Sequence, residues 1–254
     1  MKIVGQVDRR ALSVEGMSET SRVAHADAGV LPTHGRVRSV NVGAVEVSNP
    51  AKPETSGTGI YKQPVDEAVR VRVPRPKNSG PRQSGLVGDV ICDIKHHGGP
   101  DQAVYAYARE DLDWWGQRLE RELPDGMFGE NLTTEGLNLT DAVIGERWRI
   151  GEELVLEARL PRVPCVTFAA KMAEPRWIKR FTEVGVTGVY LRVVTPGEVR
   201  TGDGIEVLTR PAHGVTIATY FRAITTQRNR LAELGPAREF LAGETLEDLA
   251  RGGY

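Results

Sequence analysis

Along most of this chain, Val, Leu and Ile alternate with polar residues, and short turns of Gly, Pro and Asp separate the runs. "GRVRSVNVGAVEV", beginning at Gly35, sets every second residue on one face, as a half-buried strand requires. "AVRVRVPRP" repeats the pattern with Val69, Val71 and Val73 on a common face. "RQSGLVGDVICDIKH" predicts a turn and then a strand, with Val90 and Cys92 on one side and Ile91 and Asp93 on the other. "GERWRIGEELVLEARLP" and "GVYLRVVTPGEVRTGDGIEVLTR" add further strands. Short strands at this spacing favour a barrel or a sandwich. Helical spacing is rarer. "AREDLDWWGQRLEREL" lines up Leu112, Trp115, Leu119 and Leu123, with Glu110 and Asp111 in the first turn, where the helix dipole favours negative charge. "VTFAAKMAEPRWIKRF" predicts a helix broken near Pro175. The tail carries Ile217, Phe221, Ile224, Leu231 and Leu234 at roughly helical spacing, then "ETLEDLARGGY" with a capping box from Thr245 to Asp248.

The same pattern divides the chain. Residues 1–35 are polar, with weak periodicity, and form an N-terminal extension; 36–209 hold the strands; 210–254 form a helical C-terminal tail. Composition narrows the function. The 254 residues are 40% hydrophobic and 26% charged, with a formal net charge of -1 and dispersed cations, so no basic stripe points to nucleic acid. No apolar run approaches the roughly 20 residues of a membrane span, and the N-terminus lacks the apolar stretch of a signal peptide. A cytoplasmic protein is expected, with no membrane partner.

Four segments bear chemistry. "TSGTGIYKQPV" collects the hydroxyls of Thr55, Ser56 and Thr58, two glycines and Lys62; such a turn can present N–H groups and charge to a phosphate, or be an exposed polar loop. "DIKHHGGPDQ" packs Lys95, His96, His97, Gly98, Gly99 and Asp101 together. Adjacent histidines on a strand point to opposite faces, helical metal pairs sit three or four apart, and no acidic or Cys cluster adjoins them. A two-histidine metal site is therefore rejected. The glycines suit close approach of backbone to a ligand, and Asp101 can cap the following segment; a strand-to-helix corner would explain the glycines but not the polar density. "DGMFGENLTTEGL" makes a polar corner in which Asn131 and Thr133 either donate to an anion or satisfy the turn. "RLPRVPCVTFAAK" sets Cys165 after Arg162 and Pro164 and before a helix, and both the Arg and the helix N-terminus stabilise a thiolate. Cys92, within its Val/Ile run, reads as a small core residue. No CxxC exists, so a cysteine-rich zinc site has no support.

In series, "TGIYKQPV", "GLVGDVICDIKHHGGPDQAVYAY", "FGENLTTEGL", "GERWRIG", "LPRVPC" and "GVYLRVVTPGEVRTGDGIEVL" resemble the MOSC domain family, named for the C-terminal part of molybdenum cofactor sulfurase, and within it the stand-alone bacterial YiiM-type branch. The resemblance runs from about Arg36 to Arg210. It implies a mainly β protein: a closed antiparallel barrel with helical insertions and a small helical tail. It implies a molybdenum–molybdopterin cofactor in a cleft, with Cys165 as catalytic thiol and molybdenum ligand. Lys62, Lys95, His96, His97, Gly98, Gly99, Asp101, Asn131 and Arg162 would line or bind that cofactor, Lys62 and Arg162 meeting its phosphate. It also implies a molybdenum-dependent oxidoreductase, independent of pyridoxal phosphate, that reduces small N-hydroxylated substrates such as hydroxylaminopurine-type bases. No flavin, nicotinamide or iron–sulfur motif is present, so electrons would come from a separate donor protein. The alternative is a sulfur carrier, with Cys165 bearing a persulfide, or a cofactor-binding protein in molybdenum cofactor maturation. Missing counterparts for the extension, and the length of the Pro/Arg loop at 74–83, bear on substrate access and donor docking.

Overall fold

The computed structural model describes residues 31–43, 49, 51, 57–79 and 84–251. Most of the expected extension, Thr55 and Ser56, the end of the first Val-alternating run, and positions 80–83 of the Pro/Arg loop lie outside the described residues.

Among the described residues ten strands form: β1 (His34–Val42), β2 (Gln63–Val65), β3 (Val69–Val71), β4 (Val104–Ala108), β5 (Leu132–Glu135), β6 (Arg147–Ile150), β7 (Leu154–Pro161), β8 (Val189–Thr195), β9 (Gly197–Val199) and β10 (Gly204–Thr209). Seven of them close into a barrel in the order β1-β10-β6-β7-β8-β4-β5, with β5 returning to β1. The expected mainly β, mostly antiparallel barrel is present. Its one parallel seam joins β4 to β5, and these strands are linked by helix α1 (Arg109–Leu119), the kind of crossover a parallel pair needs. β2 extends the sheet beside β1, and β3 pairs with β9 as a separate ribbon.

Period-two alternation sorts side chains into two cores. In β6, Trp148 and Ile150 are buried while Arg147 and Arg149 are exposed. In β4 both faces are buried. Val104, Ala106 and Ala108 enter the barrel core, whereas Tyr105 and Tyr107 point outward into a second, aromatic-rich core. That outer core includes Leu112 and Trp115 of α1, Phe168 of α2 (Val166–Met172) and Trp177 and Phe181 of α3 (Trp177–Val184). The break at Pro175 separates α2 from α3, as expected.

Two readings need correction. Val90–Asp93 is not a strand: Val90 takes part only in an isolated bridge, and its N–H donates to the Gly43 carbonyl at 3.2 Å. The Asp89 carboxylate accompanies that contact, accepting from the Gly43 N–H at 2.8 Å, so one backbone and one side-chain bond tie the segment to the end of β1. The tail forms α4 (Ile217–Ile224), a long 3-10 stretch (Arg228–Phe240) and α5 (Gly243–Ala250). Thr245 does not cap α5: it lies inside the helix and its hydroxyl meets Tyr220 Oη at 2.7 Å. The tail shares the barrel's core through Ile217, Tyr220, Leu231 and Leu234. A chain ending at Arg210 should therefore expose that apolar face and lose cooperative unfolding, checked by a urea melt followed by circular dichroism; a sharp, unshifted transition would contradict it.

Candidate functional site

Against the outward flank of the barrel, beside Tyr105 of β4 and Tyr190 of β8, lies a cavity of about 660 Å³. That volume is within the range of small-molecule and cofactor sites, roughly 300–1,000 Å³. Its walls come from segments far apart in sequence: the 57–62 turn, the 89–98 loop, Asn131, and Arg162 to Thr167.

Cys165 lines this cavity as the N-cap of α2. Burial pushes its thiol pKa up, but a hydrogen bond from His97, the positive charge of Arg162 and the Phe168 N–H outweigh that, bringing it down to about 6. At neutral pH this sulfur is a thiolate. Arg162 is 6% exposed. Its guanidinium donates to the Phe128 carbonyl and stacks over the rings of Phe168, at 4.1 Å, and Tyr105, at 5.0 Å. Among the described residues no carboxylate pairs with it, so its charge is balanced only by the Cys165 thiolate and the rings.

The turn that holds Arg162 is itself fixed by Glu130, a fully buried residue. Its carboxylate accepts from the N–H groups of Gly126 at 2.6 Å and Phe128 at 2.9 Å and from Thr133 Oγ1 at 3.0 Å. Burial pushes this carboxyl up, while those bonds and the Lys171 charge work against it. Lys171 of α2 donates to the carbonyls of Ile60, at 2.9 Å, and Gly126, at 3.0 Å. Its burial lowers the pKa to about 8 despite Glu130. α2 and the 124–131 turn are thus laced together beneath the thiol.

Of the residues expected at the site, Lys62, Lys95, His96, His97, Gly98, Asn131, Arg162 and Cys165 line the cavity. Several do so in other roles than a sequence reading assigns. Lys62 is buried, and its ammonium lies 2.5 Å from Asp89 Oδ1 and 3.3 Å from the Gly59 carbonyl, so its charge is already matched. Asn131 braces the strands: Nδ2 donates to Asp89 Oδ2 at 2.9 Å, and Oδ1 accepts from the Tyr105 N–H at 3.1 Å. The two histidines diverge. His96 meets Asp93 at 3.0 Å on the exposed side, and His97 turns to Cys165. Gly98, at φ 85, makes that turn in a conformation other residues rarely adopt. Gly99 and Asp101 stand outside the cavity. Gly99 packs against the Lys77 backbone, and Asp101 is an ion-pair partner of Arg159, at 2.8 Å, and Arg192, at 2.6 Å. Cys92 is not a core residue: it is half-buried in the 89–98 loop and lines the same cavity, and neither cysteine forms a disulfide.

Sequence reasoning missed Asp89, Tyr105, Tyr190 and Glu130. A carboxylate inside an apolar run, as Asp89 is in "GLVGDVIC", was the available signal, because a buried charge demands a partner.

The residues present fit a molybdenum-bearing pterin. A soft thiolate suits molybdenum, a buried guanidinium with no carboxylate partner among the described residues suits an anionic group, and the cavity wall is moulded without side-chain bulk at Gly59, where an added Cβ would sit 2.0 Å from the Val90 carbonyl. Among the described residues no group of three or more His, Cys, Asp or Glu gathers to hold a metal by itself. No helix there is long and apolar enough to cross a membrane.

Fold and site together define a closed β-barrel with a thiol-bearing cavity on its flank. The chain belongs to the MOSC domain family, whose signature matches residues 93–206. It is 35% identical over 160 residues to the uncharacterized protein YflK of Bacillus subtilis, covering 63% of this chain and 67% of that one. It is 28% identical over 232 residues to a protein of Gibberella moniliformis named reductase, covering 90% of this chain but only 39% of that protein. The crystal structure of YiiM from Geobacillus stearothermophilus superposes with a TM-score of 0.67 at 26% identity, covering 85% of this chain and 98% of that one.

Proposed function

We propose that this protein holds a molybdenum–molybdopterin cofactor and reduces small N-hydroxylated compounds, such as hydroxylaminopurine-type bases, with electrons from a separate redox protein. The observation that carries the reading is the Cys165 thiolate in a cavity of cofactor size, facing a buried Arg162 that no carboxylate among the described residues matches. The reductase name of the fungal relative supports the reaction class, although this chain spans about two fifths of that protein. When bound, the cofactor supplies the two-electron redox chemistry that the side chains lack. Cys165 would be the protein's ligand to the metal. Arg162 offsets the negative charge of thiolate and cofactor, and Glu130 keeps it aimed by fixing the Phe128 carbonyl. Tyr105 and Tyr190, with ring centroids 4.9 Å apart, wall the cavity on the barrel side. The net change consumes two electrons and two protons: the N–O bond breaks, an N–H bond forms, and the hydroxyl leaves as water.

The test is production in a host with an intact molybdopterin pathway. Wild type and Cys92→Ala should retain molybdenum and pterin and reduce hydroxylaminopurine with an artificial electron donor, whereas Cys165→Ala should lose metal and activity together. Wild type without molybdenum, but with a persulfide on Cys165, would replace this reading with the sulfur-carrier one. Metal lost from Cys92→Ala and kept by Cys165→Ala would overturn the ligand assignment.

A further inference from the structure

The Pro/Arg loop has no part in the function above, yet it borders the cavity. Between Val69 and Gly88 the sequence carries Arg70, Arg72, Arg75, Lys77 and Arg82 and no Asp or Glu, in a chain whose net charge is -1. Arg70 is opposed by Glu198 across the β3–β9 ribbon. Arg75 and Lys77 have no such partner: both are exposed, and among the described residues neither meets a carboxylate. They line a small depression that shares Ile91, Ile94, His97 and Gly98 with the main cavity. Lys95 adds a further exposed cation on the neighbouring 89–98 loop, while Asp93, the carboxylate there, is engaged by His96.

A second, independent feature lies at the thiol. Val163 and Val166, which bracket Pro164 and Cys165, are 50% and 48% exposed. The two features meet at His97, which lines the depression with Arg75 and Lys77 and hydrogen-bonds Cys165 between the two valines. Exposed aliphatics beside a reactive group, with cations at their margin, are what a protein-docking surface presents: an apolar centre with a charged rim that steers the partner.

We propose that this face, Val163 and Val166 with the Arg75–Lys77 rim, docks the electron carrier: a small redox protein whose own cofactor edge is ringed by Asp and Glu. The inference rests on the reductase reading. It differs from a subsite for an anionic small molecule because the valines would be idle in that role. At each encounter the carrier is oxidised by one electron, so two encounters complete one reduction. Attraction of this kind is screened over about 10 Å at 0.1 M salt, so the encounter slows as ionic strength rises.

The probes are flavodoxin and a plant-type ferredoxin, both acidic one-electron carriers. Binding of each to the full chain, purified without regard to cofactor content, is measured by heteronuclear NMR titration at low and high salt. Arg75→Glu/Lys77→Glu and Val163→Ser should each weaken binding of at least one carrier, the double variant by about tenfold or more at low salt, as expected for reversing steering charges. Arg149→Glu, on β6, should not. In cofactor-loaded protein the double variant should lose carrier-driven turnover to the same extent and keep dithionite-driven turnover. If neither carrier binds, or the double variant binds as wild type does, the inference is overturned while dithionite-driven reduction leaves the proposed function standing. If dithionite drives no reduction at all, the proposed function fails, and the binding measurement still decides whether this surface docks an acidic partner.

Discussion

Lys62→Met should destabilise the protein by about 3–5 kcal/mol, among the largest effects of any single substitution that leaves the apolar core intact. The cause is Asp89. Its carboxylate lies in the cavity wall, 4% exposed, and Lys62 is its cationic partner. The remaining bonds, from the Gly43 N–H and Asn131 Nδ2, come from neutral donors. Without the ammonium, an ionised group stays buried and unmatched. Lys62→Met/Asp89→Asn removes both charges and should recover much of the loss, since a buried pair replaced by neutral groups is often close to neutral for stability. Urea unfolding monitored by Trp fluorescence reads both variants. A single variant within 1 kcal/mol of wild type would mean that water, and not Lys62, carries the Asp89 charge.

The thiol of Cys165 in protein freed of cofactor should titrate with a midpoint near pH 6, followed as thiolate absorbance or as the pH dependence of iodoacetamide labelling. An ordinary cysteine does so near 8.5. The sign follows from the depressed value: the stabilising contribution is full above the unfolded thiol's pKa and is lost as pH falls through about 6. His97→Ala should move the midpoint upward, and Arg162→Met should move it upward by less, because the His97 hydrogen bond is the larger of the two interactions that favour the charged form. The midpoint, not the rate at neutral pH, is the diagnostic quantity. Nucleophilicity falls with thiol pKa with a Brønsted slope of about 0.4–0.5, which offsets part of the gain in thiolate fraction. A wild-type midpoint above 8 would refute the electrostatic account.

How much of this was legible in the sequence depended on whether the signal was local. The runs in "GERWRIGEELVLEARLP" reveal that β6 and β7 exist, and in β6 the alternation also matches the buried face, whereas β7 buries Glu157 and Arg159 on its second face through contacts that no local pattern shows. The helix break at Pro175 is likewise written in one residue. Val90, Ile91 and Cys92 look like a strand, but the 89–98 loop is held instead by Gly43, 46 positions before Asp89, whose N–H donates to the Asp89 carboxylate and whose carbonyl accepts from the Val90 N–H. Cys165 and Arg162 were legible together, being three residues apart on one turn. Their electrostatic context was not: it comes from His97, 68 residues earlier, and from the Glu130 turn. Lys62 shows the converse. A lysine in a Gly/Thr turn suggests an anion site, and only tertiary contact reveals that the anion is the protein's own Asp89.

The seam between β1 and β10 fixes when the protein can exist at all. β1 occupies residues 34–42; β5 (132–135) pairs along one edge, while the other edge takes β2 (63–65) at residues 40–42 and β10 (204–206) at residues 34–36. During synthesis at 5–20 residues per second, the 34–36 end of the first strand therefore waits roughly ten to thirty seconds for its β10 partner. The apolar residues Val37 and Val40 wait with it, since the interior they fill does not close before the last strand arrives. A nascent chain in that state is a natural client for ribosome-associated chaperones. Rare codons that slow translation between positions 135 and 204 would lengthen its exposure to aggregation without altering a single contact of the finished barrel.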